Sequence, residues 1–171
     1  MTIELSEFNA ELTTMFDTEK NIISIGFPIN EVIIEHIGST SIPDIKAKPI
    51  IDIMLGMREL PSEISPIVNY LKTLGYEHIA QYDFIIPERR FFQKDLNGKR
   101  THHIHMVSFN SEFWDKHLFF RNHLRNNPTI REQYQKLKVD LTKRQWKSGN
   151  EYADAKGDFI KSVDALRIKT G

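Results

Sequence analysis

The chain has 171 residues, with 23 Lys+Arg against 23 Asp+Glu and no Cys. That length suits one domain over residues 1–171, and the zero net charge argues against a broad nucleic-acid surface. The lack of Cys excludes disulfides, thiolate metal sites and a Cys nucleophile. The opening MTIELSEFNAEL lacks the basic and apolar regions of a signal peptide, and no apolar run approaches a membrane span, so a cytoplasmic location is expected.

Residues 6–25 read as a helix, with Phe8, Leu12, Met15, Phe16 and Ile23 at helical spacing and Gly26 as its stop. Two core strands follow, at 31–37 and 49–56, joined by a polar, basic loop. A second helix opens at Pro61-Ser62 and ends at Gly75, with Ile64, Ile67, Val68, Leu71 and Leu74 on one face. Residues 82–86 read as a short strand closed by Pro87. Asn97-Gly98 is the strongest short hairpin signal available, and it separates strands at 89–96 and 99–107. A two-residue turn there pairs Leu96 with Lys99, which sets Phe92 opposite His103 and Arg90 opposite His105. His103, His105, Arg90 and Phe92 then share one face, and His102 falls on the other, exposed. Three helices finish the chain, starting near Ser111, at Asn127-Pro128, and over 151–168, the last after the turn Ser148-Gly149-Asn150. Strands followed by helices imply an α+β domain with a mixed or mostly antiparallel sheet, flanking helices and a C-terminal helical part.

The chemistry concentrates at 32–55, VIIEHIGSTSIPDIKAKPIIDIML. Asp52 interrupts an apolar strand, where an unpaired carboxylate would cost several kcal/mol by rough estimate. It is either a buried structural acid paired with Lys or His, or a metal ligand or general base. Gly38, Ser39 and Ser41 form a turn between the strands, whose N–H groups and hydroxyls can cradle a phosphate.

Several other residues are candidates. His36 precedes the turn, and His105 shares a strand face with His103. Asp52 with one or two His makes a mixed N/O site, which suits Mn, Zn or Fe better than Mg alone. Lys48, Arg89, Arg90, Arg121 and Lys156 are the candidate anion-handling cations. Lys156 lies four residues after Tyr152 on an apolar helix face, so it either snorkels along the core edge or points into a cleft. Arg121 and Arg125, four apart, either share a phosphate or face solvent.

The runs His36-Ile37-Gly38-Ser39-Thr40-Ser41-Ile42-Pro43 and Lys46-Ala47-Lys48-Pro49-Ile50-Ile51-Asp52-Ile53 resemble the signature of the GrpB family. The likeness extends to Arg89-Arg90-Phe91-Phe92, His103-Ile104-His105, Phe120-Arg121, Leu124-Arg125, Tyr152 and Lys156, nearly the whole chain. The family is similar in fold to the nucleotidyltransferase superfamily, and similar domains occur fused to dephospho-CoA kinases. The superfamily pattern is Gly-Gly/Ser, a gap, then Asp–apolar–Asp/Glu, whose paired acids hold the catalytic metal. Gly38, Ser39 and Asp52 match it, but Met54 stands at the second acid and cannot ligate a hard cation.

The resemblance implies a nucleotide or other phosphate-containing small molecule held at Gly38, Ser39, Ser41, His36, Lys48 and Arg90. Asp52, His105 and Lys156 are then the catalytic candidates, and Asp52 with His105 holds a possible divalent metal (Mg, Mn or Zn). Metal-assisted nucleotidyl transfer is one reading. A non-catalytic nucleotide- or CoA-precursor-binding module is another, and a structural protein with an incidental pocket a third. One carboxylate is too little to hold Mg tightly, so weak divalent binding to the free protein is expected.

Overall fold

The computed structural model describes residues 1–170, with side chains to residue 168. Two apolar runs seed its sheet: β1 (Val32–Ile37) pairs antiparallel with β2 (Ile51–Met57). The Asn97-Gly98 turn closes a hairpin of β4 (Arg89–Leu96) and β5 (Lys99–Ser108), and β5 lies parallel to β2. A three-residue edge strand, β3 (Tyr76–His78), completes the order β1-β2-β5-β4-β3. Only the β2–β5 pair is parallel, so the sheet is mixed.

One sheet face carries Ile34, Ile51, Ile53, Leu55, Phe92, Ile104 and Met106. They bury against α1 (Glu11–Ser24) and α2 (Ser65–Thr73) through Phe16, Ile23 and Leu71. The opposite face is covered only in part. There α3 (Glu112–Asn126) puts Phe113 over Ile37, Met54 and Val107. Beside it, α4 (Pro128–Thr142), α5 (Gly149–Asp154) and α6 (Gly157–Thr170) form a helical part with its own apolar clusters. No described helix is long and apolar enough to cross a membrane.

Four sequence expectations need correction. The first helix starts at Glu11 rather than Ser6, because Ser6 is held in a bridge to Ala47. Residues 82–86 are not a strand: a 3-10 turn spans Ala80–Asp83, and the edge strand lies upstream at Tyr76–His78. The last helix is broken near Lys156 into α5 and α6. The fourth correction changes the site. Leu96 does pair with Lys99 and Asp95 with Arg100, but Lys94 then pairs with His102, leaving Thr101 as the extra residue of a bulge. Beyond it every pair is shifted by one. Phe91, not Arg90, faces His105, and Gln93 faces His103. His102 turns into the packed face and is buried, not exposed.

Candidate functional site

Asp52 is the centre of the partly covered face. The parallel register sets it directly beside His103 on β5 and sets Met54 beside His105. Asp52 Oδ1 accepts from His103 Nδ1 at 3.0 Å and from His105 Nε2 at 3.3 Å. The outer nitrogens face guanidinium groups, which only donate. Arg89 Nη1 is 3.4 Å from His105 Nδ1, and Arg100 Nη1 is 3.5 Å from His103 Nε2. This pattern assigns each imidazole an N–H toward Asp52 and a lone pair outward.

Burial alone would raise the Asp52 carboxyl; the hydrogen bonds of His103 and then His105 outweigh it and hold the group below the usual carboxylate range. Burial pushes His105 below the ordinary imidazole value, against the pull of Asp52. Phe91 walls both rings, with centroids 5.0 Å from His103 and 5.3 Å from His105.

Gly38 explains how Asp52 fits. Its backbone sits at φ +73° and ψ −177°, a region essentially reserved for Gly. A Cβ there would lie 2.5 Å from Asp52 Oδ2. The Gly-Ser break therefore gives the carboxylate room. Two arginines brace the turn from α3. Arg125 Nε and Nη2 donate to the Ser41 carbonyl at 2.9 and 2.7 Å. Arg121 Nη1 donates to Glu35 Oε2 at 2.6 Å and to the His36 carbonyl at 2.9 Å. Neither arrangement matches the two sequence options: these side chains bind the protein itself.

A cleft of about 610 Å³ opens beside this turn. Gly38 adjoins it through Asp52, while Ser39, Lys48, Asp52, His103 and Lys156 line it. Tyr82, Phe91 and Tyr152 supply aromatic walls. Lys48 Nζ and Lys156 Nζ stand over the Tyr152 ring, 4.9 and 4.6 Å from its centroid. Neither ammonium has an ion pair or hydrogen bond among the described residues. Burial lowers Lys156 to about 8, although Asp52 pulls the other way. Lys138, absent from the sequence candidates, also lines the cleft; burial and Lys156 lower it to about 7, and it donates to the Lys46 carbonyl.

Three candidates lie elsewhere. His36 pairs with Ile53, so it points to the face opposite Asp52. There it stacks on Phe16 at 4.7 Å and meets Thr40 Oγ1 at 3.0 Å. Ser41 turns its hydroxyl inward, to the Gly38 carbonyl at 2.6 Å. Arg90 is carried off the histidine face by the bulge; it donates to the Pro87 carbonyl and lies 3.6 Å from Asp83. Arg89 takes its place, stacked on Phe91 and Phe113. His105 touches Asp52 but faces a second, smaller cleft with Arg89 and His117.

A paired-acid metal clamp does not fit this donor set. Met54 is 0% exposed, in an apolar cluster with Ile37, Val107 and Phe113. The neighbouring strand offers imidazoles where further carboxylates would be needed.

Comparison with known proteins gives this geometry a family. The model of the GrpB protein family matches residues 2–165. UPF0157 protein YqkA of Bacillus subtilis is 37% identical over 99% of this chain, which spans about half (49%) of that relative's length. Glutamate-rich protein GrpB of Alkalihalophilus pseudofirmus is 32% identical over 87% of this chain and 86% of its own. The crystal structure of conserved protein GrpB from Enterococcus faecalis superposes with a TM-score of 0.85 at 32% identity, covering 98% of both chains. A more distant likeness, in fold alone, is to the Cid1 poly(U) polymerase bound to MgGTP, with a TM-score of 0.55 at 12% identity over 82% of this chain and 45% of that one. The fold is thus nucleotidyltransferase-like, and with a match from residue 2 to residue 165 the chain belongs to the GrpB family.

Proposed function

We propose that the cleft binds a phosphate-containing small molecule, a nucleotide foremost. The observation that carries this reading is the pair of ammonium groups, Lys48 and Lys156, held at one cleft with no carboxylate in ion-pair contact among the described residues. Two like charges gathered on one ring repel each other, and an anion between them removes that cost. Lys138 and Arg100 line the same cleft, but burial lowers Lys138 to about 7 and Arg100 pairs with Asp95, so Lys48 and Lys156 are the cations left to meet an anion. Tyr82, Phe91 and Tyr152 offer surfaces on which a base can stack, and the buried Tyr152 hydroxyl has no partner among the described residues.

The test is calorimetry with nucleoside triphosphates, pyrophosphate and CoA precursors, in chelator so that no metal contributes. Lys156→Met keeps the aliphatic packing on Tyr152 and removes the charge. It should weaken binding by about 10–100-fold, the worth of a charge-assisted hydrogen bond. Ser39→Ala should weaken it less. Absence of binding by every phosphate compound, or equal affinity in wild type and Lys156→Met, overturns the proposal.

Nucleotidyl transfer is a second reading, favoured by the fold and by Asp52 standing on the strand after the Gly-Ser turn. It predicts transfer of label from the α-phosphate of a nucleoside triphosphate to an acceptor, lost in Asp52→Asn. A ligand that binds without such transfer under any metal leaves the binding module.

A further inference from the structure

We propose that Asp52, His103 and His105 form a binding site for one divalent transition-metal ion of the zinc type, rather than the magnesium pair of a paired-acid clamp. The inference stands on the three donors alone and needs no phosphate ligand. The three ligand atoms lie within 4.8 Å of one another. Both imidazole nitrogens converge on the same carboxylate oxygen, at 3.0 and 3.3 Å. Ligands about 2.1 Å from a zinc-type ion stand about 3.0–3.4 Å apart, so those two edges already have the spacing of a metal centre. The third edge, between the imidazole nitrogens of His103 and His105, is bounded by the same 4.8 Å.

The strands fix this arrangement. Asp52 and His103 are register partners on parallel strands, and His105 follows two residues on, at the same face. Phe91 restrains both rings. The donors are shielded yet reachable: their side chains are 26%, 22% and 13% exposed for Asp52, His103 and His105. Three protein ligands leave coordination positions to solvent or to whatever occupies the cleft, the pattern of an open rather than a structural site. Two imidazoles and one carboxylate favour Zn, Co, Fe or Mn over Mg, which demands oxygen ligands and gives up water reluctantly.

Metal binding has a definite consequence for the protons. In the free protein the N–H groups of both rings point at Asp52; a metal needs those lone pairs. Each ring must then carry its hydrogen on the outer nitrogen, His103 Nε2 and His105 Nδ1, where Arg100 and Arg89 now stand. Those contacts, at 3.5 and 3.4 Å, are at the weak end of hydrogen bonding and yield readily. The switch is a change of tautomer, with no net proton released from a neutral imidazole. Asp83 and His78, 3.1 Å apart near the sheet edge, are one competing donor pair and offer one His fewer.

The experiment uses the full chain, stripped with chelator and free of phosphate. Zn²⁺ is titrated by calorimetry, Co²⁺ by visible absorbance, and Mg²⁺ as the contrast. One Zn²⁺ or Co²⁺ per chain is expected, with no heat from Mg²⁺ at the same concentrations. Asp52→Asn, His103→Gln and His105→Gln should each weaken binding by more than about 100-fold, since a direct ligand exceeds the 10–100-fold worth of an outer partner. Thermal unfolding of the metal-free variants checks that they fold. Where one does not, imidazole nitrogen shifts of wild type with Zn²⁺ report the tautomer change at His103 and His105. No saturable Zn²⁺ or Co²⁺ binding overturns the proposal. So does one-to-one binding that survives in the double variant His103→Gln/His105→Gln, or saturation that leaves both rings' nitrogen shifts unmoved. Because the phosphate experiment runs in chelator and this one runs without phosphate, either can fail alone.

Discussion

His36 makes the fold acid-labile by an amount that can be worked out. Its Nε2 meets Thr40 Oγ1 at 3.0 Å, and that hydroxyl spends its own hydrogen on the Ile50 carbonyl, also at 3.0 Å. His36 must therefore donate from Nε2, and burial beside the Phe16 ring favours the neutral form of that donor. Burial lowers it from 6.5 to about 4; Asp52 and Asp17 pull upward, and Arg125 and Arg121 push downward. The folded value lies below the unfolded one, so the unfolded chain takes up the proton first. The stabilisation is complete above pH 6.5 and is lost as pH falls toward 4. The full difference corresponds to about 3.4 kcal/mol, of which about 2 kcal/mol is lost between pH 7 and pH 5. Urea unfolding of wild type and His36→Gln at both pH values isolates this part, because the carboxylates are common to both. Wild type should lose about 2 kcal/mol more than the variant across that interval. Equal losses would refute the reasoning and show that the ring charges in the fold without penalty.

Two further outcomes follow from the turn. Gly38→Ala puts a Cβ 2.5 Å from Asp52 Oδ2 at φ +73°. It should cost about 3 kcal/mol in urea unfolding and shift the His103 and His105 ring signals; a loss under about 1 kcal/mol contradicts the close approach. Arg121→Ala removes the ties to Glu35 and to the His36 carbonyl, at an expected cost of about 2–3 kcal/mol because Glu35 keeps some solvent. An unchanged unfolding midpoint would mean that α3 holds β1 by apolar packing alone.

Much of this was legible from residue types and spacing, for identifiable reasons. Asp52 stood out because a carboxylate in an apolar strand is costly, and the structure supplies two N–H partners. Asn97-Gly98 fixed the hairpin because few residues adopt its backbone; they lie at φ 53° and 75°. The bulge left no such mark. Thr101 is an ordinary strand residue, and its extrusion is decided by how β5 packs on both neighbours, so alternation alone sets Arg90 opposite His105, the seat that Phe91 holds. His102 reads as polar and outward, yet the bulge turns it into the packed face, and its Nε2 lacks a hydrogen-bond partner among the described residues. The edge strand Tyr76–His78 is too short for alternation to show. Lys156 was visible from its place on an apolar helix face. Lys138 lies among Tyr134 and Leu141 on a helix whose other lysine, Lys136, faces water, and only the tertiary packing reveals that it is buried.

The cleft is built from materials of unequal stiffness. Asp52, His103 and His105 hang from β2 and β5, two adjacent interior strands, so their amides can exchange with solvent only when the middle of the sheet opens. Lys48 sits on the loop between β1 and β2. Tyr152 sits on α5, a six-residue helix capped by Ser148, and Lys156 lies at the break that follows it. Opening those segments breaks none of the hydrogen bonds that join β2 to β5. A ligand of the proposed kind would then enter and leave past this rim, above the three donors on the sheet. Substitutions that retune what enters can accumulate in α5 and the loops without disturbing the three donors beneath.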